Sequence, residues 1–420
     1  MGGNRAGPEQ APGPGRRFAR FLPLAAADFW RLWFVGLIIF VVRWLEMLAM
    51  GVFVYRETGS AFLVAIMAML RLLPMALFGM VMGAVADRIE RRATLVLVVL
   101  CLLLTSGTIA ILAHLGVLTI WHLVIASLIN GTAWATDNPV RRMMIGDVAG
   151  TDRVGIAMSI DVGTNNASRM LGPMIGGALL ASAGIDGTFA LSVVLYALAI
   201  IAALRVRHRS GERAADVEPL FRRVADGLMI VRRDPKLLGT LVITVVFNVF
   251  GWPFTSMIPV IGQDNLLLGP EGIGLLASMD GLGAVCGAVL IVLLAKPARY
   301  ARLYITGSVI YLCLLPAFAL MTVPLLSGGA LLLTGISSAA FSIMQSTLIY
   351  LLAPTELRSR IYGVLSVCIG SGPIGFVHLG LLADVIGAPW AIITSAVEGL
   401  LALALTARFW RKVWHAPIGG

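Results

Sequence analysis

Twelve long apolar runs constrain this chain more than any other feature of its sequence. A helix that crosses a bilayer needs roughly 20 apolar residues, and a transmembrane strand would alternate polar and apolar side chains instead. These runs, called spans 1 to 12 below, cover residues 29–53, 62–86, 93–113, 119–140, 156–181, 189–204, 237–258, 272–295, 302–322, 326–352, 361–383 and 389–408. We therefore expect an all-α membrane protein with twelve transmembrane helices.

The basic residues indicate the orientation. Only 13% of the residues are charged, against about 25% in a soluble domain, and the formal net charge is +10. Lys and Arg gather in the loops on one side of the predicted bundle and in both tails, whereas the loops of the other side contain Arg56 alone. Positive loops stay in the cytoplasm and lie against anionic lipid. This pattern predicts a multi-pass protein of the bacterial inner (plasma) membrane with both termini cytoplasmic, and it leaves no reason to expect nucleic-acid binding.

The long polar segment 205–236 divides the spans into six and six. We expect a disordered cytoplasmic tail (1–28), an N-terminal six-helix bundle (29–204), a cytoplasmic linker (205–236), a C-terminal six-helix bundle (237–408) and a cytoplasmic tail (409–420). A Gly-Pro-Met-Ile-Gly-Gly motif in span 5 has a Gly-Pro-Ile-Gly counterpart in span 11. Such an internal repeat is typical of transporters, in which two similar halves rock about a central site.

The segment 83–92 places five charged residues among six directly between spans 2 and 3. Its pattern, Gly-x-x-x-Asp-Arg-x-x-Arg-Arg, resembles the signature loop of the major facilitator superfamily of secondary transporters, and the resemblance covers essentially residues 20–412. It implies the major facilitator fold, with two pseudo-symmetric six-helix bundles. It also implies a cytoplasmic gate formed by Gly83, Asp87, Arg88, Arg91, Arg92 and Asp137.

In that gate Asp87 would meet the start of span 11, where a helix N-terminus offers partial positive charge. Arg88 or Arg91 would meet an acid at the end of span 4, where Asp137 is available. The alternative is that the arginines only set the topology.

A finer resemblance concerns the motifs Pro-Val-Arg at 139–141, Gly-Pro-x-x-Gly-Gly at 172–177 and Val-Arg-Arg-Asp-Pro at 231–235. They are similar to those of the branch that contains bacterial enterobactin exporters and related efflux proteins. The proline and glycines of the second motif, Gly172, Pro173, Gly176 and Gly177, allow a helix to bend and to pack closely. The motif is either a hinge or seal between the halves, or a close-packing site.

Several charged residues lie inside the spans. Each costs roughly 2.5–3.5 kcal/mol on insertion scales, so each needs a partner or a wet cavity. We expect Glu46 and Asp280 to carry protons and Arg43, Arg71 and Arg169 to favour an anionic substrate, with Asn166 and Trp134 as further substrate contacts. The alternative for span 1 is a permanent structural pair between Arg43 and Glu46. Glu398 lies in span 12, which is peripheral in the superfamily, and we expect it to be structural.

These observations predict a secondary active transporter that exports a small organic molecule, anionic and siderophore- or drug-like, by proton-coupled alternating access. The alternatives are a facilitator or uptake carrier for a lipid-like or sugar-like solute and a non-transporting receptor on the same fold. The five histidines are dispersed, and the sequence has no His-Glu-x-x-His, Gly-x-Ser-x-Gly or phosphate-cradling loop. We expect no enzymatic activity, no cofactor and no metal. The expected partners are the substrate, a proton or Na⁺ gradient and the lipid bilayer, and we expect a monomer.

Overall fold

A computed structural model describes residues 26–86, 90–150, 153–207, 220–354 and 357–408 of the chain. This part is helical throughout, apart from short connections. The helices that correspond to the predicted spans are Ala27–Thr58, Ala61–Ala86, Arg91–His114, Ile120–Ala149, Val154–Leu204, Pro235–Asp264, Pro270–Leu294, Tyr300–Leu320, Pro324–Leu352, Arg358–Ile369 with Gly372–Ile386, and Ala388–Leu405.

The helices agree with the twelve predicted crossings. Within the described residues, nine helical stretches are long and apolar enough to cross a membrane. One of them, Val154–Leu204, contains both span 5 and span 6. Gly184, with a φ of 69°, interrupts this stretch and separates the two spans. Span 2 is a helix with a shorter apolar stretch, Ala61–Leu77, and span 4 is a helix that is less apolar than the others.

Span 4 is longer than the sequence predicted. Its helix runs to Ala149, whereas the apolar pattern ended near residue 140. Arg141 and Arg142, predicted to lie in a loop, are therefore part of this helix, and Arg141 is fully buried. The hydropathy pattern missed the extension because its polar residues are neutralised inside the protein.

The predicted linker contains one helix of its own, Leu220–Arg233. A Cβ on Gly227 would lie 2.8 Å from the carbonyl oxygen of Arg360, so this helix packs directly against the start of span 11. Asp234 caps the following helix by accepting hydrogen bonds from the backbone N–H groups of Lys236 and Leu237.

The two ends of the bundle differ. We call one the turn end, because tight connections at Gly59, Gly184 and Gly387 lie there. We call the other the basic end, where Arg91 pairs with Asp147 at 2.6 Å. There Arg92 also donates a hydrogen bond to the Leu204 carbonyl.

Among the residues that the structure describes, contacts between the N- and C-terminal halves concentrate at the turn end. Tyr55 of span 1 donates a hydrogen bond to Asp264 of span 7, and Ser60 lies 3.4 Å from Asp384 of span 11. Glycines bring the remaining helices together: spans 1 and 7 at Gly51, spans 2 and 11 at Gly380, and spans 5 and 8 at Gly177 and Gly274. The turn end is closed.

Glycines also set the packing inside each half. Gly283 of span 8 faces the main chain of Leu332 and Gly335 of span 10, and a Cβ at either glycine would overlap the facing backbone. Small residues at such crossings let two backbones approach closely, which drives helix association in lipid.

We predict that Gly283→Ala destabilises the protein by about 1–3 kcal/mol, because the added methyl group would push against a backbone carbonyl rather than a flexible side chain. Thermal unfolding in detergent should show a lower midpoint than for the unmodified protein.

The matched control is Gly163→Ala in span 5, where no heavy atom lies within 4 Å of the new Cβ. Since Ala is a better helix former than Gly, this change should leave the midpoint unchanged or raise it. Equal midpoints for the two variants would contradict the close crossing of spans 8 and 10.

Candidate functional site

A cavity lies between the two halves, on the turn-end side of the bundle centre. It comprises about 730 Å³ of empty space, part of which is open to solvent. Spans 1, 2, 4, 5, 7 and 8 supply its walls, and most of the lining is apolar. Three charged residues line it: Arg71, Arg169 and Asp280. It therefore combines an apolar surface with a net positive charge.

Arg169 and Asp280 form an ion pair that crosses from the N-terminal to the C-terminal half. Arg169 belongs to span 5 and Asp280 to span 8. The helices can approach because the next residue is Gly281, where a Cβ would overlap the main chain at Arg169 and Met170. The guanidinium also lies 5.6 Å from the ring centroid of Trp44.

Asp280 is only partly satisfied by this pair. One carboxylate oxygen contacts Arg169, while the other is buried and has no hydrogen-bond partner among the described residues. A buried carboxylate oxygen without a hydrogen-bond partner is energetically costly.

Arg71 lies against span 4. Its side chain is buried, and its Nη2 donates a long hydrogen bond of 3.4 Å to Asn130. The main chain of Arg71 touches Gly131, where any side chain would overlap its carbonyl group. Arg71 thus presents positive charge to the cavity from a rigid helix crossing.

A second, smaller cavity lies beside the first and includes Arg43 and Trp134 in its lining, together with Trp252 and Phe376 of the other half. The Arg43 guanidinium stacks 4.5 Å from the centroid of Trp134. The pair predicted as substrate contacts is therefore brought together next to the main cavity.

The structural pair considered for Arg43 and Glu46 is not present. Arg43 reaches Asp137 of span 4 at 3.9 Å instead. Glu46 is fully buried on another face of span 1, where Ser106 of span 3 donates a 2.6 Å hydrogen bond to it. Three residues of separation place the two side chains about 60° apart around the helix, which is enough to give them different neighbours.

A buried charged cluster lies between spans 1, 4 and 5. Arg141 donates hydrogen bonds to Asp137 at 3.3 Å and to Asp161, and Arg142 donates to Asp161 at 3.1 Å. The Arg141 guanidinium lies 4.6 Å from the Phe40 ring, and the absence of a side chain at Gly36 makes room for it. This cluster holds spans 4 and 5 together near the basic end.

Arg91 meets an acid of span 4 as expected, but this acid is not Asp137. Arg91 pairs with Asp147, and Asp137 is engaged by Arg141 and Arg43. The reason is the length of span 4: Asp147 lies ten residues beyond Asp137, about 15 Å further along the helix. Asp87 and Arg88 lie outside the described residues, and Gly83 belongs to the helix Ala61–Ala86.

The Gly-Pro-x-x-Gly-Gly motif packs against both neighbouring helices. Gly172 and Gly176 face the main chain of span 1 near Leu45, and Gly177 faces Gly274 of span 8. Pro173 lies within the helix, whose only backbone dihedrals outside the helical range are at Gly184. This geometry is that of a close-packing site at the junction of the halves.

Asn166 lies on span 5 near Arg169 and is partly exposed, but it is not among the residues that line the two cavities.

Three residues of the site, Trp44, Ser106 and Asp161, were not predicted from the sequence. Asp161 carried the same signal as the other intramembrane charges. Trp44 and Ser106 carried none, because apolar spans contain many such residues and only packing selects these two.

The comparisons with known proteins all identify membrane transport or secretion proteins as similar to this chain. The model of a family described as transmembrane secretion effector matches residues 18–417. A macrolide efflux protein A of Streptococcus pyogenes is 22% identical over 86% of this chain and 90% of its own length. An enterobactin exporter of Shigella boydii is 25% identical over 87% of this chain and 89% of its own length. A bacterial homologue of the human lysosomal transporter Spinster, inward-facing and unoccupied, has a TM-score of 0.70 at 15% identity, covering 97% of this chain and all of its own.

We predict that Asp161→Asn lowers the free energy of unfolding by about 3–5 kcal/mol, because it removes a carboxylate from two arginines, of which Arg141 is fully buried. Chemical or thermal unfolding in detergent would measure the loss.

Asp28→Asn is the matched control, since its pair with Arg31 is partly exposed and such pairs contribute about 0–1 kcal/mol. If the two variants lost the same stability, the buried cluster would not hold spans 4 and 5 as described.

Proposed function

Since this chain belongs to the transmembrane secretion effector family, within the major facilitator superfamily that its motifs resemble, we propose that it is a proton-coupled exporter of small amphiphilic organic anions. It is a multi-pass membrane protein and a secondary transporter, and the relatives named above are efflux proteins and exporters. The coupling ion, the class of substrate, the cytoplasmic position of both termini and the monomeric state are our proposals.

The observation that carries the proposal is the ion pair between Arg169 and Asp280. It joins the two halves at the wall of the cavity. One member of the pair binds anions and the other binds protons, and coupled transport of an anion and a proton requires both properties. A guanidinium stays charged and can form bidentate hydrogen bonds with carboxylates or phosphates, whereas a buried carboxylate can take up a proton.

The anionic group of the substrate and the Asp280 carboxylate compete for Arg169 in this arrangement. An anionic substrate that binds Arg169 displaces Asp280, which is then left in an apolar cavity without its cation. The carboxylate avoids the cost of isolated charge by accepting a proton from water. When the cavity opens to the other side and the substrate leaves, Arg169 pairs with Asp280 again and the proton is released, so substrate and proton cross together and the outward substrate gradient drives the export.

The closed turn end supports alternating access. Hydrogen bonds from Tyr55 and close glycine contacts hold the halves together there. Toward the basic end, Val162 on the Arg169 side of span 5 is 43% exposed, which is consistent with divergence of spans 5 and 8 there. With both termini in the cytoplasm, this is a conformation that loads substrate from inside.

Glu46 and Arg71 form the second part of the coupling system. Arg71 lines the cavity and interacts electrostatically with the Glu46 carboxylate behind it. The second carboxylate oxygen of Glu46 is buried without a hydrogen-bond partner in the described part of the chain. An anion that binds Arg71 would weaken its interaction with Glu46 and favour proton uptake there.

The lining of the cavity indicates which chemical class of substrate it can bind. Met47, Met50 and Met67 give it an adaptable apolar lining, and the cations Arg71 and Arg169 stand at its wall. Such a surface favours an organic molecule with a large apolar part and an anionic group. Arg43 and Trp134 in the adjoining cavity would contact a longer substrate.

We predict that Asp280→Asn abolishes the effect of a pH gradient on substrate flux in everted membrane vesicles while binding of the substrate persists, because the amide cannot exchange a proton. Glu46→Gln should reduce the coupled flux as well. Flux would be measured with enterobactin and with a labelled macrolide, chosen from the relatives, at an imposed pH gradient.

Glu57→Gln serves as the control, since this residue is exposed at the turn end. Full coupling in both the Asp280 and Glu46 variants would exclude these carboxylates from the mechanism, and flux of the unmodified protein that ignores the pH gradient would favour a facilitator.

We also predict that Asp87→Asn slows transport several-fold without changing the amount of protein in the membrane. Asp87 lies outside the described residues, and its proposed role is to stabilise the basic end against span 11 when the cavity opens outward. Initial rates normalised to membrane-inserted protein would measure this, with Glu90→Gln, which removes one negative charge at an exposed position of the same segment, as the comparison. Unchanged turnover in the Asp87 variant would contradict the gate.

A further inference from the structure

The helix Leu220–Arg233 of the linker has one face that the described part of the chain leaves uncovered. Gly227 and Val231 lie on its packed side and are buried. Four residues of the other side are exposed: Leu228, Met229, Arg232 and Arg233. Since successive residues of a helix are rotated by about 100°, these four occupy one continuous sector of about 140°, largely opposite the packed side.

The packed side fixes the depth of this helix relative to the membrane. Val231 belongs to a buried cluster with Leu237 of span 7 and Ile361 of span 11, and both partners lie in the first turns of their spans. At its other end, Arg233 is two residues away from Pro235, where the helix of span 7 begins. The linker helix therefore lies at the level where spans 7 and 11 reach the membrane surface.

The uncovered face combines apolar and cationic side chains. Leu228 and Met229 are 42% and 56% exposed, and Arg232 and Arg233 lie in the same sector. The hydrocarbon core does not suit the arginines, and water does not suit the apolar pair. Both kinds of side chain are satisfied at the membrane interface, where apolar residues reach the acyl chains and arginines reach the phosphates.

The charge of this region indicates which lipids the face would bind. Residues 220–236 contain five basic and two acidic residues. One of the two acids, Asp234, is occupied in capping the helix of span 7. The start of span 11 adds Arg358 and Arg360. This excess of positive charge complements a surface of anionic lipid.

We propose that the helix Leu220–Arg233 binds anionic lipid headgroups of the cytoplasmic leaflet, with its two exposed apolar residues inserted between the lipids and its two exposed arginines on the phosphates. Because Gly227 lies against the main chain of Arg360, the bound lipid also holds the start of span 11. In the proposed cycle that segment closes the basic end. The inference goes beyond export: it rests on the cytoplasmic position of the linker, and neither the substrate nor the coupling ion enters it.

The test measures whether the exposed face enters the lipid. Met229→Cys would carry the environment-sensitive fluorophore NBD in the full-length protein, with its four native cysteines replaced by alanine. The protein is placed in nanodiscs of phosphatidylcholine alone or of phosphatidylcholine with phosphatidylglycerol. Acrylamide, which is uncharged, quenches the label from water, and lipids with spin-labelled acyl chains quench it from the bilayer.

We expect acrylamide to quench the label about fivefold less in the anionic nanodiscs, with stronger quenching by the spin-labelled lipid. Attraction to anionic lipid strengthens attachment by about fivefold for each arginine near the surface. Leu228→Gln should weaken the protection from acrylamide, because it removes half of the apolar insertion.

A double substitution tests the arginines. Arg232→Gln with Arg233→Gln keeps the helix but should make acrylamide quenching equal in the two kinds of nanodisc. Lys296→Gln with Arg299→Gln is the matched control, since it removes the same charge from exposed positions between spans 8 and 9 at the same end. The control should keep the full response to anionic lipid.

Three outcomes would overturn the proposal. The first is a label equally open to acrylamide in both kinds of nanodisc, which would leave the face to a soluble partner. The second is a response that the control variant loses as completely as the arginine variant, which would reflect surface charge in general. The third is protection by inorganic phosphate in nanodiscs of phosphatidylcholine alone, which would identify a free anion as the ligand.

Two features keep the test decisive. If the arginine variant fails to fold, salt at about 1 M replaces it, because screening within about 3 Å should remove the difference between the nanodiscs in the labelled protein without that substitution. The measurement uses neither substrate nor a pH gradient. Failure of the lipid response therefore leaves the proposed export to be judged by Asp280→Asn, and failure of proton coupling leaves the lipid site intact.

Discussion

The cost of placing charge in an apolar bundle decides most of the arrangement seen here. Arg141 is fully buried, and it is tolerated because Asp137 and Asp161 neutralise it and Phe40 receives its face. Arg169 meets Asp280 under the same constraint, but across the junction of the two halves. A pair within one half holds helices together permanently, whereas a pair across the junction can be exchanged for substrate and proton.

Close backbone contact is the second requirement, and it works together with the first. The Arg169–Asp280 pair can form only because Gly281 allows spans 5 and 8 to touch at that level. Gly177 and Gly274 repeat the contact at the turn end. Small residues along this crossing give the halves a surface on which they can part and meet again, since no interlocking side chains have to be withdrawn.

The fold was largely predictable from the sequence, and the site only in part. Hydropathy located the helices because lipid requires long apolar runs with internally satisfied backbones. It ended span 4 too early, since Arg141 and its neighbours look like a loop until their ion pairs are known. The intramembrane charges were correctly marked as unusual, but the partners of Arg43, Glu46 and Arg91 could not be assigned, because helical spacing along one span does not specify which neighbour it faces.

The sequence by itself determined the membrane-spanning class, the division into two related halves and the list of costly charged residues, since each follows from local composition and spacing. Only the tertiary structure decided which charges meet. It placed Arg169 against Asp280 across the halves and His378 against Glu398 on the lipid-facing side. Pairing depends on the rotation and depth of helices packed from distant parts of the chain, and those are set by packing at glycine crossings rather than by any one segment.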